Sequence, residues 1–322
     1  MKRSKNLKSQ NNLLILPIIL VVLGFLVWLV IRVLFSSTWD GKSRFTVIFS
    51  TRPVMVVSYN PSDQSIAVVS IPEDTYVDAT HGYGRYRLGK VYDVGNLDKK
   101  GPQVLKSTVR ELLGVPIDGY IDVKNLELSG SENLNTAEFI AKRKIILGLT
   151  NFWRFNDKTD LSLSDLWQFY SHVFSVKAGK ISFVNLKNAN VLESQTLPDG
   201  TNILVAQTQA LDGLLRDLFH EDALAGENLK LAVLNSTDVS GLGDKMARIL
   251  GNMGLQVVNV ANFSPVWDKC LLFVDKKLVN LLTIVKLKRE FNCLVKTTNM
   301  PDVRADISLV VGNNYAKELI SK

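Results

Sequence analysis

The chain has 322 residues, 46% of them hydrophobic and 21% charged, which is enough for two modest domains with real cores. Its formal net charge is +7, but Lys2, Arg3, Lys5 and Lys8 supply four of those charges and leave +3 for the rest. That remainder holds no concentrated basic stripe, which argues against a nucleic-acid surface. The three histidines, none at ligand spacing with either cysteine, argue against a zinc site.

Residues 1–12 form a basic tail. The run "LLILPIILVVLGFLVWLVI" (Leu13 to Ile31) then holds 19 residues without a charge, and Val33 to Phe35 extend it. At about 1.5 Å per residue such a helix nearly crosses a ~30 Å hydrocarbon core. Pro17 lies near its start, where a helix tolerates it, and Trp28 and Trp39 suit an outer interface. The run exceeds a signal-peptide core, and no small-x-small cleavage pattern follows. The expectation is a transmembrane anchor over 13–35 and a juxtamembrane stretch over 36–44. By the positive-inside rule the N-terminus is cytoplasmic, the bulk extracytoplasmic and the protein single-pass in the plasma membrane.

Three strand-like runs follow: Phe45 to Ser50, Val54 to Asn60 and Ser65 to Pro72, the last two joined by the turn formers of "NPSDQ". The third run is apolar on both faces, as in a strand covered on both sides. Spacing predicts a helix over Gly101 to Gly114, a strand in "VPIDGYIDV" and a helix over Leu161 to Val176, with Ser162 and Asp165 as its N-terminal signature. A strand in "KISFVNL" and a helix over Thr208 to Phe219 complete a first domain over 45–219. Polar "HEDALAGEN" (220–228) reads as a linker.

In 229–322 strands and helices alternate: "LKLAVLNS", "LGDKMARILGNMG", "LQVVNVANF", "KCLLFVD", a helix from Leu278 to Phe291, then "LVKTT" and "DISLVVG". A helix between successive strands points to a small α/β domain with parallel pairing. Gly241 and Gly243 before a helix fit a tight turn better than a phosphate loop, since no full G-x-G-x-x-G follows. Cys270 and Cys293 lie in apolar, strand-like flanks. Outside the membrane they form either a disulfide or two buried thiols.

The chemistry gathers after the third strand, in "VVSIPEDTYVDATHGYGRYRLGK" (Val68 to Lys90). Glu73 and Asp74 are adjacent carboxylates there, and Arg85, Arg87 and Lys90 follow. Such residues can hold a divalent ion and a phosphorylated substrate, or they can be scattered charges on a solvated loop, with Arg85 and Arg87 alternating with Tyr86 on a strand face.

The order of features (basic tail, anchor, "SIPEDTYV", the "GYG…K" loop, "STVRELLGVPIDGYIDV") resembles the LytR–CpsA–Psr family. "LAVLNSTDVSGLGDKMARILGNMGLQVVNV" with "ADISLVVGNNY" is similar to that family's C-terminal accessory domain. The resemblance implies an α/β (α+β) sandwich of a mixed sheet with helices, plus a small α/β C-terminal domain, behind one N-terminal transmembrane helix. It also implies attachment of glycopolymers to the cell wall from a polyprenyl-pyrophosphate carrier, with acidic residues holding a divalent cation and arginines neutralising phosphate. Ser70, Ile71, Pro72, Asp74 and Thr75 match the family's Ser-Ile-Pro-Arg-Asp-Thr, but Glu73 stands where the arginine belongs. Lys90 matches a family lysine, and Tyr92 replaces the asparagine that follows it. The Asp-x-Arg and Ser-Asp pair and the Arg-x-x-Arg-Gln cluster are missing.

The catalytic motif is thus degenerate. Asp74 alone makes a poor magnesium site, because such ions usually take one or two carboxylates plus phosphate; Glu73 offers a second carboxylate. The expected function is a pseudoenzyme of the cell envelope that binds cell-wall polymer, a lipid-linked precursor or a partner protein. The alternative is an active phosphoglycosyl transferase with a rebuilt site of Glu73, Asp74, Arg85, Arg87 and Lys90.

Overall fold

The computed structural model describes residues 17, 20, 21, 23–25, 28, 37, 39–123, 159–298, 301, 302 and 304–320. Most of the expected anchor lies outside the described residues; Leu20, Val21 and Phe25 within it are helical and exposed. Among the described residues no helix is long and apolar enough to cross a membrane.

The first half contains β1 (Phe45–Phe49), β2 (Val54–Asn60), β3 (Ser65–Ile71), β4 (Tyr76–Ala79), β5 (Gly84–Arg87), α1 (Leu88–Gly95), α2 (Gly101–Leu113), β6 (Gly119–Ile121), α3 (Leu163–Ser175), β7 (Ile181–Asn185), β8 (Leu192–Thr196), β9 (Asn202–Ala206) and α4 (Thr208–Phe219). Five strands make a mixed sheet in the order β6-β1-β2-β3-β7. β1, β2 and β3 pair antiparallel, while β6 and β7 lie parallel on the outer edges. Strand alternation sends Phe45, Val47 and Phe49 to one face, where Leu166, Phe169 and Val173 of α3 cover them. Ile48, Val56 and Val69 face the other way, against α1, α2 and α4. Both faces of β1 to β3 are therefore buried, as their near-continuous apolar runs require.

Helix boundaries follow local chemistry. Ser162 caps α3 by accepting from the Asp165 N–H at 3.0 Å. Gly114 ends α2 with φ +61, and a Cβ there would stand 2.8 Å from the Arg248 guanidinium. The stretch after β3, expected as a loop, is a β4–β5 hairpin running into α1. Lys90 therefore lies on a helix, and Arg85 and Arg87 lie on a strand.

The second half holds α5 (Asp222–Ala225), β10 (Lys230–Asn235), α6 (Leu242–Asn252), β11 (Gln256–Asn262), β12 (Leu271–Val274), α7 (Leu282–Glu290), β13 (Leu294–Lys296), β14 (Ile307–Val311) and α8 (Asn313–Ile320). The sheet order is β11-β10-β14-β12-β13. Pairing is parallel except between β12 and β14. Cys270 and Cys293 form a disulfide with Cα atoms 4.4 Å apart, tying the start of β12 to that of β13. Residues 220–228 carry α5; Glu221 is buried, and the Glu227 carboxylate caps α7 by accepting from Leu282 and Thr283 N–H.

The two sheets are joined by polar side chains. Arg248 of α6 pairs with Asp212 of α4 at 2.7 Å and donates to the C-terminal carbonyls of α2 at Glu111 and Leu112. Asn252 donates to the Gly114 carbonyl, and the Tyr315 hydroxyl donates to Glu111. Lys286 of α7 is fully buried. Its ammonium donates to the Arg44 carbonyl at 2.6 Å and lies within 4.0 Å of Asp118, Glu221 and Glu290. Beside it Arg289 pairs with Asp118 at 2.9 Å.

Candidate functional site

β3 carries Ser70, between β2 and β7, to the end of the buried sheet, and Pro72 ends the strand so that Glu73 and Asp74 emerge at its C-terminal end. The corner is fixed by main chain. The Thr75 N–H donates to the Pro72 carbonyl, and the first two amides of α1, at Leu88 and Gly89, donate back to Thr75 and Glu73 carbonyls at 2.8 and 3.0 Å. The Glu73 side chain lies against Gly89, where a Cβ would come within 2.8 Å of its carboxylate. Only glycine allows that approach.

Asp74 is exposed and pairs with Arg87 at 3.0 Å. The Asp199 carboxyl in the β8–β9 turn is held below its ordinary range by hydrogen bonds from Thr201, with a small further contribution from the charge of Arg87. Arg85 is exposed and stands opposite Asp78 in the hairpin register. Lys90 is exposed in the first turn of α1. The structure thus joins Asp74 to Arg87, turns Glu73 onto Gly89, and leaves Arg85 and Lys90 in solvent.

A cavity of ≈ 230 Å³ opens at this corner, lined by Ser70, Glu73, Asp74, Asn185, Lys187 and Leu204 among others. The Ser70 hydroxyl is buried there without a hydrogen-bond partner among the described residues. A ligand oxygen or N–H entering the cavity would satisfy it.

The Asp74 carboxylate has the Arg87 guanidinium on it, and among the described residues no group of three His, Cys, Asp or Glu could hold a metal ion. Magnesium held by one or two carboxylates and a phosphate would draw on Asp74 and Glu73.

Sequence reasoning missed a second polar cluster beside the corner. Asp122, just past β6, accepts from the Ser50 hydroxyl at 2.7 Å and from the Tyr92 hydroxyl at 2.6 Å. Burial, and then the Asp122 carboxylate, push the Tyr92 hydroxyl pKa well up, so it stays protonated and donating. Arg52 approaches Asp93 at 3.9 Å, and Ser50, Arg52, Glu73, Gly89 and Tyr92 line a further small crevice. The sequence signal was the tyrosine at position 92; its partner lies 30 residues on, with nothing local to mark it.

Residues 40–128 match the model of the LytR_cpsA_psr family, and residues 228–315 match that of the LytR cell envelope-related transcriptional attenuator. Over 74 residues the chain is 35% identical to the polyisoprenyl-teichoic acid–peptidoglycan teichoic acid transferases TagU of Bacillus mycoides and Bacillus cereus. That stretch is 23% of this chain and 22% of each relative, so the match spans about a fifth of the curated relatives' length. Among solved structures, the LytR-CPS2A-psr family protein YwtF (TagT) with bound octaprenyl pyrophosphate lipid is 18% identical, with a TM-score of 0.40 over 56% of this chain and 91% of that one. TagU of B. subtilis is 17% identical, with a TM-score of 0.37 over 55% and 96%.

Proposed function

We propose that this chain, which joins a LytR–CpsA–Psr segment to a LytR C-terminal segment, is a membrane-anchored extracytoplasmic protein of the cell envelope. It binds a lipid-linked glycopolymer precursor, or the polymer itself, at the β3–β4 corner and does not transfer it. The observation that carries this reading is the disposition of the two carboxylates. Asp74 is paired with Arg87 and Glu73 is folded onto Gly89, so each carboxylate is already held by a partner of its own. A transferase of this type needs a divalent ion and pyrophosphate held together. A binder needs only donors and shape. Here those are the Ser70 hydroxyl, Asn185 and Lys187 around the cavity, with Arg85 and Lys90 as exposed cations beside it.

One observation favours the transferase instead: Glu73, Asp74 and Lys187 line the same cavity, so displacing Arg87 would free one carboxylate beside a cation. Calorimetric titration of the full-length protein in detergent with a short polyprenyl pyrophosphate, with and without magnesium, separates the two. Binding that is indifferent to magnesium and survives Asp74→Ala is the expected result. Magnesium-dependent binding abolished by Asp74→Ala would establish the transferase reading, and no binding in either condition would remove the pyrophosphate site.

A further inference from the structure

A cavity of ≈ 600 Å³ opens at the end of the first sheet opposite the β3–β4 corner, a size in the range of small-ligand sites. Its walls come from the start of β3 at Ser65, Ile66 and Ala67, the start of β7 at Ser182, and the last turn of α4. At about 3.3 Å per strand residue, Ser65 lies roughly 17 Å from Ser70, so the cavity is separate from the corner.

Its floor is a buried cation. Arg44 lines the cavity and is 4% exposed. The guanidinium makes two long hydrogen bonds, to the Ser58 hydroxyl and the His220 carbonyl, both at 3.3 Å. Its Nε has no hydrogen-bond partner among the described residues. Burial pulls the Arg44 pKa below the ordinary arginine value, and the charges of Glu221, Asp63 and Asp222 offset this only in part. The charge is therefore under-neutralised where water screens poorly, the condition that draws an anion.

Two further cations stand at the mouth. Lys180 ends the short turn before β7, and Arg216 lies in the last turn of α4. Both are exposed, and among the described residues neither side chain has a hydrogen bond or ion pair. The carboxylates here lie in water. Exposed Asp63 accepts from the Ser65 N–H at 3.2 Å and the Ser65 hydroxyl at 2.7 Å, and Asp222, 90% exposed, stands 3.4 Å from His220. Asp217 is exposed as well. The cavity is thus graded, with a cation buried inside and acids at the rim. Rim acids of this kind accept hydroxyl hydrogens, as Asp63 does from Ser65, and Asn60 and Ser182 add neutral polar groups. A bare anion would leave those groups unused, and an uncharged polyol would leave Arg44 unmet.

We propose that this cavity binds a sugar phosphate, its phosphate neutralising Arg44, Lys180 and Arg216 and its hydroxyls meeting Asn60, Ser182 and the rim carboxylates. The proposal is independent of the pyrophosphate site, since the two share no residue. Glucose 6-phosphate is the probe, titrated at millimolar concentration and constant ionic strength into the full-length protein in detergent and followed by calorimetry. Binding is expected, with glucose and inorganic phosphate each about tenfold weaker or worse. Lys180→Glu and Arg216→Glu, both at the surface, should each weaken it about tenfold, the loss of one charge-assisted hydrogen bond. No binding of glucose 6-phosphate overturns the proposal. Undiminished binding in the Lys180→Glu, Arg216→Glu double variant overturns it too, as does glucose or inorganic phosphate binding as tightly as the sugar phosphate. Polyprenyl pyrophosphate binding should be the same in the double variant, which separates failure here from failure at the corner.

Discussion

Two groups of opposite charges lie on this molecule, and they differ in everything but composition. At the β3–β4 corner Asp74, Arg85, Arg87 and Lys90 stand in water. At the seam Asp118, Glu221, Lys286, Arg289 and Glu290 are withdrawn from it. The corner looks like chemistry in the sequence, because acids and bases are close along the chain. The seam looks like nothing in the sequence, because its members come from β6, the start of α5 and α7, far apart in number. Solvation decides which group carries energy. Exposed charges keep their water and can exchange partners, whereas buried ones depend on every partner they have.

The sharpest break of this comparison is Lys286→Met. It leaves Asp118, Glu221 and Glu290 facing one another without their shared ammonium, and about 3–5 kcal/mol of unfolding free energy should be lost. Denaturant titration measures it, and adding Glu290→Gln to the same chain should restore part of the loss. A loss below about 1 kcal/mol would mean that the seam is as solvated as the corner.

Next in size is a pH effect at Glu290. Burial first, then the neighbouring Asp118, push its carboxyl up from 4.5 to about 7, against the pull of Lys286 and Arg289. The folded chain thus holds a proton in that interval that the unfolded chain has released, and stability falls as pH rises from about 4.5 through about 7. Thermal unfolding across this window should show the decline in the parent chain and a shallower one in Glu290→Gln. Equal slopes would remove Glu290 as the origin.

The smallest effect belongs to the corner. Arg87→Ala breaks an ion pair whose side chains are 46% and 60% exposed, so stability should change by roughly 0–1 kcal/mol. A larger loss would show that the hairpin depends on that pair and would blur the contrast with the seam.

The fold was legible where local signals were strong. The α3 cap, the Thr208–Phe219 helix and the three central strands all stand where periodicity and turn residues put them. α1 was missed because Gly89 and Gly95 punctuate it, although Gly89 is there to admit Glu73. The β8–β9 hairpin was missed because "LESQT" is largely exposed and carries no apolar face. Residues 220–228 read as a linker because they are polar, yet Glu221 is buried by accepting from Arg44 N–H at 2.8 Å and lying beside Lys286. The identities of Glu73, Asp74, Arg85, Arg87 and Lys90 were plain in the sequence; their pairing was not, because only the hairpin register brings Arg87 back to Asp74. The disulfide stayed open for the same reason, since spacing holds no Cα separation. By closing a loop of 23 residues in sequence it contributes about 3 kcal/mol.

The docked segment 220–228 has a consequence for the chain as a covalent object. Gly226 and Asn228 are exposed, while Glu221 before them is buried between Arg44 and Lys286 and Leu229 after them is buried in the second half. Each half lends the other part of its interior: Arg44 and Asp118 receive Lys286 and Arg289, and Asp212 receives Arg248. A nick at this exposed turn would therefore leave two complementary fragments, each needing the other to neutralise its buried charge. They should copurify as a noncovalent pair, as the pieces of a split reporter do.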